Sequence, residues 1–314
     1  MGSVMAKRAL RAAAVLGACA LVAGLTACAV PPTYPSNAAK CGAASAAPTG
    51  YDHVVVLMEE NRTWGTVGGV GFADPYMPYL KDLGANCTVF SDWTETNYQQ
   101  NSLNQYIGLT SGVSNPSTVD DCTPSTTCRS TDDNIFRQVR LAGGTARTFV
   151  DGATEPCSEG ANKWKHIPAA YYYGTYTDAT GTHSDHDFCA AEVRPLAELD
   201  PSNLPTFSMI VPDQCNDGHD CLNDAVDKFA HDTLQPILDS AAYAAGRVLV
   251  VVAYDEDRPV PNLLIAPTAR RGVQTLAGAG HAALLRTWEE VLGLPVLATP
   301  QVSAAPSLRA AAHI

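Results

Sequence analysis

Two short runs of this chain are apolar at every position instead of every second one. Val248 to Val252 is one, and the stretch YDHVVVLM from Tyr51 to Met58 contains the other. A strand with one wet face alternates. An unbroken run rich in β-branched residues fits a strand buried on both faces, as in a parallel sheet flanked by helices. Each run stops abruptly at polar groups: Tyr254-Asp255-Glu256-Asp257 after one, Glu59-Glu60-Asn61-Arg62 after the other. Shorter strands are predicted at Ala146–Asp151, Asn203–Asp213 and Asn262–Pro267. Helical spacing predicts a helix from about Leu222 to Ala245, with Val226, Phe229, Leu234, Ile237 and Leu238 inward. It predicts another from His281, with Leu284, Leu285, Trp288, Val291 and Leu292 inward, and a short one over Asp132–Leu141. Strands interleaved with helices give an α/β fold. Ala298 to Ile314 lacks periodicity and is expected to trail.

The N-terminus follows a different pattern. Lys7, Arg8 and Arg11 precede an apolar stretch from Ala12 to Leu25, too short for a spanning helix, as in a signal peptide. Leu25-Thr26-Ala27-Cys28 resembles a bacterial lipobox, which implies cleavage before Cys28 and lipid on the new N-terminal cysteine; an ordinary signal peptide and a retained anchor are the alternatives. Residues 28–50, rich in Pro, Ala, Ser and Thr, read as a tether. The organisation expected is therefore a targeting segment over 1–27, a tether over 28–50, a domain over 51–300 and a tail over 301–314.

The chain of 314 residues is 46% hydrophobic and 17% charged, enough apolar content for a packed core. Its formal charge of −12, which becomes −15 once the three basic residues of the targeting segment are removed, argues against nucleic acid as a partner. Eight cysteines follow Cys28. An even number in an exported chain points to disulfides and an extracytoplasmic location, lipid-anchored to the membrane or secreted. Cys122–Cys128 and Cys215–Cys221 are spaced for local loops.

Candidate chemistry gathers at the strand ends. Open α/β sheets place ligands at the carboxyl ends of their strands. Adjacent carboxylates there repel one another, and a metal ion is the simplest cation to relieve them. Several other features read as structural. His183-Ser184-Asp185-His186-Asp187 and the Asp227/His231 pair suit solvated positions, and the tyrosines at 171–173 and 176 suit packing or a substrate wall.

Five segments resemble one family in the right order, over roughly Tyr51 to Pro300. HVVVLMEENRTWGTVGG is similar to the opening signature of the bacterial phosphoesterase family that includes acid phosphatases and phospholipases C, within the alkaline-phosphatase superfamily. Ser102, followed by Tyr106, Ile107 and Leu109 on a helix ending in Ser-Gly, stands where the family has its nucleophile. Lys165-His166-Ile167-Pro168 resembles a His-x-Pro segment, Asp213 to Cys221 resembles a Pro-Asp…Asp-x-His-Asp signature, and GAGHAALLRTWEEVLGLP resembles the closing segment with its His281. Around the nucleophile the match is looser: Gln100 and Gln105 stand where the family has His and Asn, and its two prolines are missing.

The resemblance implies an alkaline-phosphatase-like three-layer α/β/α sandwich with a mostly parallel central sheet. It implies one divalent ion, Ca²⁺, Mg²⁺ or Mn²⁺ before Zn²⁺, on the oxygen donors of Glu60, Asn61, Ser102, Asp255 and Glu256. Ser102 would attack phosphorus and form a phosphoserine. His219, His281 and His166 would meet the phosphate and protonate the leaving group, with Asp217 and Asp220 orienting His219. The expected function is an exported, metal-dependent phosphoesterase, first of all an acid phosphatase acting on phosphomonoesters. A phospholipase C-type phosphodiesterase and a non-catalytic surface lipoprotein on the same scaffold are the alternatives.

Overall fold

The computed structural model describes residues 31–95, 101–118, 120–256 and 258–314. The expected targeting segment, the lipobox with Cys28, Gln100 and Asp257 lie outside the described residues. The strands are β1 (His53–Glu59), β2 (Thr88–Phe90), β3 (Ala146–Val150), β4 (Thr175–Asp178), β5 (Gly181–Ser184), β6 (Val193–Pro195), β7 (Phe207–Val211), β8 (Val248–Tyr254), β9 (Asn262–Ile265) and β10 (Gly272–Gln274). The helices are α1 (Pro78–Asn86), α2 (Ser102–Ser111), α3 (Ile135–Leu141), α4 (Cys189–Glu192), α5 (Asn223–Leu238), α6 (Ala241–Ala244), α7 (His281–Val291), α8 (Pro300–Ala304) and α9 (Arg309–Ala312).

Eight strands form one sheet in the order β10-β2-β9-β8-β1-β7-β3-β6. β1 pairs in parallel with both β7 and β8, and β3 continues the parallel set to β6. β9 is antiparallel to both its neighbours, so it alone runs against the sheet. All residues of β7 and β8, and all of β1 after His53, are buried. That is why their sequences show no alternation: helices cover both faces, with α1 packed on α5 and α2 packed on α7. The result is the expected three-layer α/β arrangement.

Four disulfides staple this body: Cys41–Cys87, Cys122–Cys128, Cys157–Cys189 and Cys215–Cys221. Both local loops expected from spacing are among them. No helix among the described residues is long and apolar enough to cross a membrane.

Several expectations about the periphery are corrected. Much of the tether is part of the body. Asn37 and Cys41 are buried, and the amides of Ala43 and Ala44 donate to the Pro267 carbonyl at 2.8 and 2.9 Å. The tail does not trail either: Val302, Leu308, Ala312 and Ile314 are buried. Gly112 ends α2 at φ 70, and a Cβ there would lie 2.3 Å from Val302 Cγ2, so the tail seats against a position only glycine can fill. Arg309 then donates to the carbonyls of Pro48 at 2.9 Å and Thr49 at 3.0 Å, joining the two ends of the domain. The long helix predicted to Ala245 breaks after Leu238; Ser240 starts α6 by accepting from the Tyr243 amide at 3.1 Å.

Two acidic residues assigned to solvent are buried. Asp185 accepts from Arg137 Nε at 3.1 Å and from Arg140 Nη2 at 2.7 Å. Asp227 accepts from the amides of Tyr79 at 3.1 Å and Leu80 at 2.8 Å, capping α1 from α5. Both acids find donors on distant segments, which hydropathy cannot show. Tyr171 and Tyr172 are packing residues: their hydroxyls meet the Cys122 carbonyl at 2.6 Å and Thr110 Oγ1 at 2.7 Å inside the protein.

Candidate active site

The central strands β8, β1 and β7 end side by side. The register sets Glu59 opposite Tyr254, so the acidic residues that follow begin at one level. The Asp255 amide donates to the Glu59 carbonyl at 3.2 Å, and the Glu60 amide donates to the Asp217 carbonyl at 2.8 Å. Asn61 adopts φ 50, a left-handed conformation that Asn tolerates better than most residues. That turn aims its amide N–H at Asp255 Oδ1, 3.3 Å away, and its side-chain Nδ2 at Glu60 Oε2, 2.9 Å away.

Glu60, Asp255 and Glu256 each offer a carboxylate oxygen, all within 4.8 Å of one another. Asp255 Oδ2 is buried and meets no hydrogen-bond donor among the described residues. Burial, then Glu60 and Glu256, pushes the Asp255 carboxyl well above its ordinary range. Three carboxylates this close resist ionising together unless a cation joins them. The donor set of these three residues consists of carboxylate oxygens, which are hard donors. These residues therefore fit a single divalent ion of the calcium, magnesium or manganese kind.

Ser102 opens α2, a helix buried at all ten positions. Its hydroxyl accepts from Lys165 Nζ at 3.0 Å. Asp121 binds the same corner twice: Oδ1 accepts from the Leu103 amide at 2.9 Å, and Oδ2 lies 3.8 Å from Lys165 Nζ. Burial opposes ionisation of Glu60, but His166, Lys165 and Ser102 outweigh it and hold this carboxyl well below its ordinary range.

His166 has a different task from the one expected. It is fully buried, its Nε2 contacts Glu60 Oε1, and its Nδ1 meets Asn162 Oδ1 at 2.7 Å. Tyr106 stacks on it, centroids 5.3 Å apart. A ring held on three sides packs against Glu60 and has no exposed edge.

Asp217 also departs from its expected role. Its Oδ1 accepts from the His219 amide at 2.7 Å, but Oδ2 turns to His166, 3.6 Å from Nδ1. Burial chiefly, with Glu60 and Asp213, pushes its carboxyl up to about 8. Gly218 at φ 94 swings the chain between Asp217 and His219, which leaves the His219 ring exposed and paired through Nδ1 with Asp220 Oδ1 at 2.7 Å. Asp220 thus pairs with the His219 ring, while Asp217 meets the His219 amide and the His166 ring. His281 is buried at the start of α7, with Nε2 on the Tyr254 carbonyl at 2.9 Å. Burial drops its pKa to about 4, so the ring is neutral and braces the backbone one residue before Asp255.

The sequence reading gave no role to Lys165, Asp121 or Asn162. Lys165 lies next to His166 in a quoted motif, yet nothing in the pattern says that it reaches a serine 63 residues away.

A family model described as the Phosphoesterase family matches residues 70–261, more than half of the chain. The chain belongs to the Phosphoesterase family. The matched stretch holds Ser102, Lys165, His166, Asp217, His219, Asp255 and Glu256, while Glu60, Asn61 and His281 join them through the fold. Among curated relatives of this phosphoesterase, the phosphatidylinositol-3-phosphatase of Mycobacterium tuberculosis is 28% identical over 267 residues, spanning 81% of this chain and 80% of that protein. Among solved structures, an alkaline phosphatase superfamily protein from Vibrio parahaemolyticus aligns with a TM-score of 0.52 at 15% identity, over 85% of this chain and 71% of that one. A 2-O GAG sulfatase aligns with a TM-score of 0.53 at 11% identity, over 83% and 74%. At such identities these structures speak for the fold alone. Family and relative together make this phosphoesterase a hydrolase of phosphoric ester bonds.

Proposed function

We propose that this phosphoesterase is an exported, metal-dependent phosphomonoesterase of the acid-phosphatase type, with Ser102 as its nucleophile. One observation carries the reading: the buried Ser102 hydroxyl accepts from Lys165 at 3.0 Å and favours the ionised form of Glu60, one of three carboxylates whose oxygens lie within 4.8 Å of one another. Glu60, Asn61, Asp255 and Glu256, together with Ser102, would hold one hard divalent ion. Such an ion, when bound, neutralises phosphate charge and favours the ionised hydroxyl.

The residues of the chain account for the rest. Lys165 and the first turn of α2 hold phosphate oxygens next to Ser102 Oγ. Ser102 gives its hydroxyl proton to water and Oγ attacks phosphorus in line, an Oγ–P bond forms, and the bond from phosphorus to the ester oxygen breaks. His219 is exposed, with Nδ1 anchored on Asp220, and gives the departing alcohol its proton. Water then attacks the phosphoserine and inorganic phosphate leaves. The mycobacterial phosphatidylinositol-3-phosphatase supports a monoester reaction over a diester one. The four disulfides support export.

The test is hydrolysis of p-nitrophenyl phosphate and of bis-p-nitrophenyl phosphate, with chelator and with added Ca²⁺, Mg²⁺ or Mn²⁺. Monoester turnover that disappears with chelator and returns with metal is expected. Ser102→Ala should lower kcat on the order of 10³-fold or more. Preference for the diester would favour the phospholipase C alternative, and full activity in Ser102→Ala would remove the nucleophile.

A further inference from the structure

A cleft of about 340 Å³ opens next to the Ser102–Lys165 contact. Asp121, Glu159, Lys163, Trp164, Lys165 and Gln214 line it. Two of these walls belong to the reacting corner itself: Lys165 donates to Ser102 Oγ at 3.0 Å, and Asp121 holds the amide of Leu103, the residue after Ser102. A phosphate ester seated on Ser102 therefore has this cleft within reach of its alcohol part.

We propose that the cleft is a polyol subsite, taking the alcohol part of the ester as a ring or short chain that bears several hydroxyls. This rests on the phosphomonoesterase reading and narrows it. The walls carry the argument. Half-buried Trp164 offers an aromatic surface for C–H groups. The carboxylates of Asp121 and Glu159 are acceptors suited to hydroxyl donors. Glu159 Oε2 is fixed by the Trp164 amide at 3.0 Å, which locks the carboxylate against the indole's own backbone. The side-chain donors of Lys163 and Gln214 make no hydrogen bond among the described residues and remain available to hydroxyl oxygens. Two carboxylates and two ammonium groups balance, so the cleft selects neither a cationic group such as choline nor a second strong anion. Its volume lies at the small end of the roughly 300–1,000 Å³ of small-molecule sites, room for one ring and not for a lipid chain. A free polyol phosphate and an inositol lipid headgroup share this chemistry.

The experiment compares wild type with Trp164→Ala and Gln214→Ala, each checked for an unchanged melting temperature in saturating metal. Three substrates are used: phenyl phosphate, soluble myo-inositol 3-phosphate, and phosphatidylinositol 3-phosphate in phosphatidylcholine vesicles. Both variants should raise KM for the inositol esters at least fivefold with kcat little changed, while KM for phenyl phosphate stays within twofold. Free myo-inositol should compete with the soluble inositol ester in wild type and not in the variants. Faster wild-type turnover on vesicles than on the soluble ester would assign the headgroup of a lipid; the reverse would assign a free polyol phosphate. Equal KM changes for phenyl and inositol esters, or none, in an active enzyme would overturn the subsite alone. Wild type inactive on all three esters would overturn the hydrolase reading and the subsite with it.

Discussion

His166→Ala separates two jobs that a buried histidine near a phosphate site could have. The structure ties the ring to Glu60 through Nε2 and to Asn162 through Nδ1 at 2.7 Å, with no exposed edge. Its loss leaves Glu60 Oε1 buried without its neighbouring ring and lets the carboxylate rotate. Removing a group that orients a metal ligand weakens metal binding by roughly 10–100-fold, about 1.4–2.8 kcal/mol. That range agrees with the ~1–3 kcal/mol expected for stranding a buried acceptor.

Calorimetric titration with Mn²⁺ or Ca²⁺ should therefore show the dissociation constant rising by one to two decades. Thermal melts give an independent reading. At metal one hundred times the wild-type Kd, binding stabilises the wild type by about 2.7 kcal/mol. For a variant one hundredfold weaker, the same concentration only equals its Kd and supplies ~0.4 kcal/mol. Saturating metal should restore kcat on p-nitrophenyl phosphate to within a few-fold. Metal affinity left intact, together with a kcat at saturating metal reduced by ~10³, would refute the positioning role and return His166 to direct contact with the substrate.

Two further outcomes concern the body that carries the site. Glu289 on α7 is buried with Oε1 on the Leu297 amide at 3.1 Å, and burial, only partly offset by that bond and by Gln138, pushes its carboxyl up to about 7. The folded state thus keeps a proton that the unfolded chain releases near its ordinary value, so Glu289 erodes stability as pH rises from about 4.5 to 7 and no further above that. Glu289→Gln should flatten that part of the decline in urea unfolding at a series of pH values; an unchanged profile would disprove the assignment. Leu308 in the C-terminal segment is fully buried, so Leu308→Ala should lower unfolding free energy by about 2–5 kcal/mol, whereas a change below ~0.5 kcal/mol would mean that the segment is peripheral.

What could be read from the sequence depended on whether the deciding partner was local. β1 and β8 were legible because burial on both faces removes alternation, and their polar ends marked the site before any coordinates. The three-residue strands β2, β6 and β10 carry too few positions for any period; Val273 in β10 is even 53% exposed. The C-terminal segment looked idle because its apolar residues contact Gly112 and Thr287 individually, with no stripe of its own. Asp185 and Asp227 looked solvated because their donors lie 45 to 148 residues away. At the site, the oxygen donors were named from motifs, but the roles of His166 and Asp217 depended on which way each side chain turned.

Alternation across the sheet also explains how four acids share two strand ends. Glu59 and Glu60 leave β1 on opposite faces, as Tyr254 and Asp255 leave β8. Glu59 falls beside Tyr254, with neither carboxylate oxygen hydrogen-bonded among the described residues, and burial, then Asp217, raises its pKa well above the ordinary value. That face resolves its acid by keeping the proton. The other face keeps Glu60 ionised with Lys165 and His166. There the carboxyls of Glu60, Asp255, Glu256 and Asp121 crowd around one ammonium group, that of Lys165. A phosphate dianion entering such a pocket meets repulsion on the order of 4 kcal/mol per unit charge pair at 4 Å and an effective dielectric near 20. A divalent ion held on these oxygens, as proposed for the site, would offset that repulsion, so removing metal should weaken substrate binding as well as slow the chemical step.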